Sequence, residues 1–149
     1  MGGIKKIMIV EDSELLHRMY DLILMGYRKT GAEVLHAFNG REALNKLSND
    51  PDIHLIILDI NMPVMSGLEF LSYCKREKIF QEIPVIIVST EGKEDDTIRG
   101  LKAGAKGYIT KPFQAVDLYR IIDKVIGTDD ASASGIHARI PRSAPVGGR

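Results

Sequence analysis

The chain has 149 residues and equal numbers of basic and acidic side chains, 20 Lys plus Arg against 20 Asp plus Glu. This length suits one well-packed domain and is hardly enough for two. The balanced charge gives no basic field that would attract nucleic acid, and no apolar run approaches the ~20 residues of a membrane-spanning helix.

Five short segments rich in Ile and Val, each bounded by turn residues, predict β-strands. They are IKKIMIV (4–10), AEVLHAF (32–38), IHLIILD (53–59), IPVIIVS (83–89) and AKGYIT (105–110). The third and fourth are apolar throughout rather than alternating, which is typical of parallel strands that are covered on both faces.

The segments between these strands carry helical patterns. We predict that Ser13 caps the first helix and that Gly40 opens the second. Apolar stripes at helical spacing predict the buried faces of the first and last helices, formed by Leu15, Leu16, Met19, Leu22 and Ile23 and by Leu118, Ile121, Ile122 and Val125.

Strands that alternate with helices predict an α/β protein, a three-layer sandwich with a parallel sheet. We expect residues 1–127 to form this domain. Residues 128–149, rich in Ala, Ser, Gly, Pro and Arg, predict a flexible C-terminal tail or residues added by cloning. In such sheets, ligands bind at the carboxyl ends of the strands.

Polar side chains that the core pattern does not explain gather at those strand ends. Glu11 and Asp12 follow the first strand, Asp59 ends the third with Asn61 two residues on, Ser89 and Thr90 stand at the end of the fourth, and Lys111 follows the fifth. Three neighbouring carboxylates repel one another, and a divalent cation with oxygen ligands, such as Mg²⁺, relieves that repulsion. A carboxylate nucleophile, a metal, a lysine and a hydroxyl are the groups required for phosphoryl transfer to aspartate.

Four motifs, VEDS, LDINMPVMSG, PVIIVST and GAKGYITKPF, resemble those of response-regulator receiver domains in order and spacing. The resemblance covers about residues 4–126. It implies a flavodoxin-like fold in which a five-stranded parallel sheet, in the order 2-1-3-4-5, is covered by five helices. In that family the Lys–Pro bond that corresponds to Lys111 and Pro112 of this chain is commonly cis.

The resemblance also implies a role for each matched residue. Asp59 is the expected phosphoacceptor, and Lys111 and Ser89 are expected to contact the phosphoryl group. The expected Mg²⁺ site consists of Asp12 and Asp59, Glu11 acting mainly through water, and the backbone carbonyl of Asn61.

Some assignments stay open. Tyr108 matches the family's aromatic switch position, but it could equally pack on the last strand. Thr90 neighbours Ser89, and a slip of one residue would exchange them; we favour Ser89 because it directly follows the apolar run. The four histidines, at positions 17, 36, 54 and 137, show no ligand spacing, and we expect them on the surface or in loops.

The resemblance implies a phosphoacceptor response regulator in two-component, or phosphorelay, signal transduction. Its expected partners are a sensor histidine kinase or phosphotransfer protein and a downstream protein target, with no direct nucleic-acid binding and no membrane insertion. We expect it to catalyse only its own phosphorylation and dephosphorylation, and to be cytoplasmic. The latter fits the single cysteine, Cys74, which can form no internal disulfide.

Two other classes of protein remain as alternatives. An aspartyl-nucleophile phosphohydrolase requires a second carboxylate two residues after the nucleophile, and this chain has Asn61 there. A nucleotide- or flavin-binding protein would share the layered fold, but the chain contains no GxGxxG motif after the first strand and no GxxxxGK[ST] motif.

Overall fold

The computed structural model describes residues 5–27, 31–50, 52–62, 64–90 and 92–127. Five strands alternate with five helices along this part of the chain. In order they are β1 (Lys6–Val10), α1 (Glu14–Met25), β2 (Glu33–Ala37), α2 (Gly40–Asn49), β3 (Leu55–Asp59), α3 (Gly67–Glu77), β4 (Val85–Thr90), α4 (Glu94–Lys102), β5 (Gly107–Lys111) and α5 (Ala115–Ile126). Each predicted strand is confirmed, with ends that differ by two residues or fewer.

All five strands are parallel, and they form one sheet in the order β2-β1-β3-β4-β5. This confirms the predicted flavodoxin-like fold. The strand order reverses between β1 and β3, which pair from Ile7 with Leu55 to Val10 with Leu58. The carboxyl ends of β1 and β3 therefore lie side by side at the point where sheets of this type bind ligands.

Apolar side chains fill the space on both faces of the sheet. In β1, Met8 and Val10 belong to a cluster with α2 and α3, whereas Ile7 and Ile9 belong to a cluster with α1 and α5. We call these the α3-side and α5-side clusters. Two separate cores explain why the central strands are apolar at every position rather than at alternate positions.

Polar side chains fix where several helices begin. Ser13 caps α1 by accepting a hydrogen bond from the backbone N–H of Leu16, and Asn39 caps α2, whose first residue is Gly40, as predicted. At the start of α3, Ser66 and Glu69 form a reciprocal capping box. The cis bond between Lys111 and Pro112 is also present.

The predicted buried stripe is confirmed for α5 and partly wrong for α1. The four α5 residues are all buried, but Leu15 and Leu22 of α1 are 74% and 70% exposed. The helix instead buries Tyr20 and Leu24, because its core-facing arc lies on the opposite side from those two leucines.

The predicted tail at 128–149 lies outside the described residues. Within the described ranges, none of the helices combines the length and apolar character needed to cross a lipid bilayer.

Gly67 allows α3 to begin directly against the end of β3. A Cβ atom at this position would lie 2.4 Å from the carbonyl oxygen of Asp59 and 2.8 Å from the Cα of Ile60, both backbone atoms. We therefore predict that Gly67→Ala lowers the free energy of unfolding by about 1–3 kcal/mol, measured by urea denaturation. Gly31→Ala is the matched control, because a Cβ at Gly31 meets no atom within 4 Å. Equal stability of the two variants would contradict the prediction.

Candidate functional site

Three charged side chains lie on one face of the sheet at its carboxyl edge. Glu11, Asp59 and Lys111 each follow a residue of the α5-side cluster by two positions, namely Ile9, Ile57 and Ile109. Because side chains alternate between the two faces of a strand, the three share the face that α1 and α5 cover. Parallel strands thus bring together residues from three distant parts of the chain.

The acidic side chains form a compact group. Glu11, Asp12 and Asp59 each offer a carboxylate oxygen, and these oxygens all lie within 4.8 Å of one another. Glu11 and Asp59 are only 2% and 4% exposed, whereas Asp12 is exposed. The structure therefore brings together the acidic residues that the sequence predicted.

Lys111 supplies a positive charge beside this group. Its Nζ lies 3.8 Å from Glu11 Oε1 and 3.8 Å from Asp59 Oδ1. These distances are too long for hydrogen bonds, so the ammonium acts on both carboxylates by charge alone. One ammonium between three carboxylates leaves the site with net negative charge.

Backbone N–H groups satisfy only part of the acidic group. The N–H of Ser13 donates to Glu11 Oε2 at 3.0 Å, and the N–H of Asn61 donates to Asp59 Oδ1 at 3.3 Å. Glu11 Oε1 is buried and accepts no hydrogen bond from the described residues. A buried carboxylate oxygen without a donor is costly, and a cation with its bound water would relieve that cost. This donor set fits a divalent ion such as Mg²⁺.

Burial and mutual repulsion alter the acidity of the two buried carboxyls. Burial raises the pKa of Glu11 from 4.5 to about 7, and the negative charge of Asp59 is the second largest cause of this shift. Burial likewise raises the pKa of Asp59, although the charge of Lys111 opposes that shift. Both carboxyls therefore hold a proton more readily than in water, mainly because burial disfavours their charged forms.

The fourth and fifth strands contribute the remaining predicted residues. Ser89 is buried and accepts a hydrogen bond from the Thr97 hydroxyl, whereas its neighbour Thr90 is exposed. Tyr108 is partly buried and packs against the α3-side cluster. Ser89 and Tyr108 lie on the face of the sheet that carries the α3-side cluster. Glu11, Asp59 and Lys111 lie on the other face.

The prediction that His17 is a surface or loop residue is wrong. His17 is buried in α1, and its Nε2 lies 2.6 Å from the backbone oxygen of Glu11. Since a carbonyl oxygen can only accept, Nε2–H is the donor, and Nδ1 is left to accept from His36 Nδ1 at 2.6 Å. Burial lowers the pKa of His17, which favours this neutral form.

The His17–His36 pair supports the backbone of the site. His36 lies in β2, and its Nε2 is 3.1 Å from Asp21 Oδ1. The pair therefore connects β2 and α1 to the backbone that carries Glu11. Nothing in the local sequence pattern signals this contact, because residues 17 and 36 meet only when β2 pairs with β1.

Comparison with known proteins identifies the family of this chain. The sequence model of the family described as response regulator receiver domain matches residues 7–123 of this chain. This chain belongs to the response-regulator receiver family. Members of this family are phosphoacceptor signalling proteins of two-component systems rather than enzymes in the usual sense.

The relatives of this receiver domain include stand-alone and longer proteins. It is 38% identical over 127 residues to chemotaxis protein CheY1 of Helicobacter pylori, an alignment that covers 84% of this chain and 99% of CheY1. It is 36% identical to the phosphate regulon transcriptional regulatory protein PhoB of Escherichia coli, covering 82% of this chain and 52% of PhoB. The structure of chemotaxis protein CheY4 of Vibrio cholerae matches with a TM-score of 0.72 and 32% identity, covering 83% of this chain and 99% of that one.

The raised pKa of Glu11 predicts a loss of stability as the pH rises from 4.5 to about 7 in the absence of divalent cations. Over this interval Glu11 keeps its proton in the folded chain but loses it in the unfolded chain, so its contribution to the free energy of unfolding falls as the pH rises. Thermal unfolding at a series of pH values should show a smaller fall for Glu11→Gln than for the unaltered chain.

Glu14→Gln is the control for this titration, because Glu14 is exposed in the first turn of α1. It should follow the unaltered chain. Equal slopes for Glu11→Gln and Glu14→Gln would contradict the assignment of the titration to Glu11.

Proposed function

We propose that this receiver domain accepts a phosphoryl group on Asp59 from a phosphohistidine of a sensor histidine kinase or phosphotransfer protein. The observation that carries the proposal is the convergence of Glu11, Asp12 and Asp59 within 4.8 Å, beside the ammonium of Lys111. In the transfer, an oxygen of Asp59 forms the new bond to phosphorus as the bond to the imidazole nitrogen breaks. The electron pair of that bond leaves with the imidazole.

We assign the metal ligands by family resemblance and by the donor set. Asp12 and Asp59 would bind Mg²⁺ directly, Glu11 would act mainly through water, and Asn61 would contribute its backbone carbonyl. The buried Oε1 of Glu11, which lacks a hydrogen bond from any described residue, supports this assignment. When bound, the ion would neutralise charge on the carboxylates and on the phosphoryl oxygens.

The other site residues prepare Asp59 and hold the phosphoryl group. The charge of Lys111 lowers the pKa of Asp59 against the effect of burial, so it favours the carboxylate form that acts as nucleophile. The same ammonium would contact a phosphoryl oxygen once the group is transferred. The Ser89 hydroxyl would donate to another phosphoryl oxygen, and Tyr108 would act as the switch residue.

Asn61 argues against the alternative of a phosphohydrolase. Its backbone N–H contacts Asp59, and its side chain is exposed and cannot act as a general acid. We therefore propose that the chain catalyses only its own phosphorylation and dephosphorylation.

The response to phosphorylation would be a change in the surface formed by α4, β5 and α5. This surface exposes the apolar side chains of Ile98, Leu101 and Val116. Exposed apolar residues of this kind suit a downstream protein target rather than nucleic acid.

The cytoplasmic location and the domain boundary at residue 127 stay predictions.

Replacement of the phosphoacceptor tests the proposal. Asp59→Ala should abolish phosphate incorporation from acetyl phosphate in the presence of Mg²⁺, measured by intact-protein mass spectrometry, because the nucleophile is removed. Asp52→Ala is the control, since Asp52 is exposed and precedes β3 at the other edge of the sheet. Undiminished labelling of Asp59→Ala would refute the assignment of Asp59.

Metal binding gives a separate prediction. Asp12→Asn should weaken Mg²⁺ binding, measured by isothermal titration calorimetry, by about tenfold or more, because a charged ligand is lost. Glu14→Gln should bind Mg²⁺ like the unaltered chain, since Glu14 is a nearby exposed carboxylate outside the acidic group. Unchanged affinity of Asp12→Asn would contradict the metal assignment.

A further inference from the structure

The hydroxyl of Ser89 is held by a residue of α4. Thr97 Oγ1 donates a hydrogen bond to Ser89 Oγ at 2.9 Å, and both side chains are buried. A hydrogen bond between two buried hydroxyls is protected from competition by water, so it defines the direction of the Ser89 side chain.

Ser89 lies on the opposite face of the sheet from the acidic group. Ser89 follows Ile87, a residue of the α3-side cluster, by two positions. Asp59 instead pairs in register with Val88, and Val88 belongs to the α5-side cluster together with Ile57. By the alternation of side chains along a strand, the Ser89 hydroxyl and the Asp59 carboxylate leave the sheet on different faces.

Thr97 has a second acceptor available if Ser89 turns away. The carbonyl oxygen of Lys93 lies 3.4 Å from Thr97 Oγ1, and it already accepts from the backbone N–H groups of Asp96 and Thr97. A threonine hydroxyl in a helix commonly shares the carbonyl oxygen four residues back with the backbone N–H groups, so Thr97 keeps this acceptor when Ser89 leaves. The cost of releasing Ser89 is accordingly modest, on the order of one neutral hydrogen bond.

We propose that Thr97 is a positioning residue that holds the Ser89 hydroxyl against α4 until Asp59 carries a phosphoryl group. This inference rests on the proposed function, because Ser89 leaves Thr97 in order to donate to a phosphoryl oxygen. The exchange breaks the side-chain hydrogen bond between β4 and α4. Thr97 therefore links the occupancy of the acidic site to the position of α4.

The test compares variants at position 97 for their response to beryllofluoride, a mimic of the phosphoryl group on aspartate. Thr97→Val keeps the branched shape of the side chain but removes the donor. With Mg²⁺ present, it should reach half-saturation at an about fivefold lower beryllofluoride concentration, followed by amide chemical shifts, because the hydrogen bond that opposes the change is lost. Thr97→Ser retains the hydroxyl and should respond like the unaltered chain.

The same substitution in a Ser89→Ala background separates this role from a general effect on packing. Without the Ser89 hydroxyl there is nothing for Thr97 to hold, so Thr97→Val should then change the half-saturation concentration by less than about twofold. The proposal would be overturned if Thr97→Val lowered the half-saturation concentration equally in both backgrounds. It would also be overturned if Thr97→Val bound beryllofluoride no more tightly than the unaltered chain. If the unaltered chain itself bound no beryllofluoride, the proposed function would fail as well.

Discussion

Electrostatic repulsion within the acidic group is the constraint on which the rest of the site depends. Glu11 and Asp59 are nearly inaccessible to solvent, and with Asp12 they form a group that one nearby ammonium only partly neutralises. An arrangement of this kind would disperse if it lay on flexible loops. It persists because β1 and β3 are held by apolar side chains on both faces of the sheet. The stability of the two cores therefore maintains an electrostatically unfavourable arrangement at the strand ends.

This unfavourable arrangement would give the proposed metal site its affinity for cations. A carboxylate with a raised pKa and an oxygen without a donor both become more stable when a divalent ion binds. The proposed transfer of a phosphoryl group to Asp59 would add further negative charge at the same place. The groups proposed to respond to that charge lie on different elements, so a local electrostatic change could alter how these elements are positioned relative to one another.

Polar contacts of His17 and Thr97 hold residues of the site in position, and neither side chain takes part in the proposed chemistry. His17 holds the backbone of Glu11 from α1, and Thr97 holds the hydroxyl of Ser89 from α4. The two contacts differ in what they connect. The first ties a proposed metal ligand to buried structure, whereas the second ties a proposed phosphoryl contact to a helix at the surface.

The sequence by itself determined the elements, the parallel sheet and the residues of the acidic group. Runs of Ile and Val mark the strands because strands buried on both faces need no alternation. Glu11, Asp59 and Lys111 could be predicted to meet because the carboxyl ends of parallel strands share one edge. Only the tertiary structure decided which arc of α1 is buried, that His17 contacts His36, and that Thr97 holds Ser89. These depend on how elements pack across the sheet, and local periodicity carries no information about contacts between separate elements.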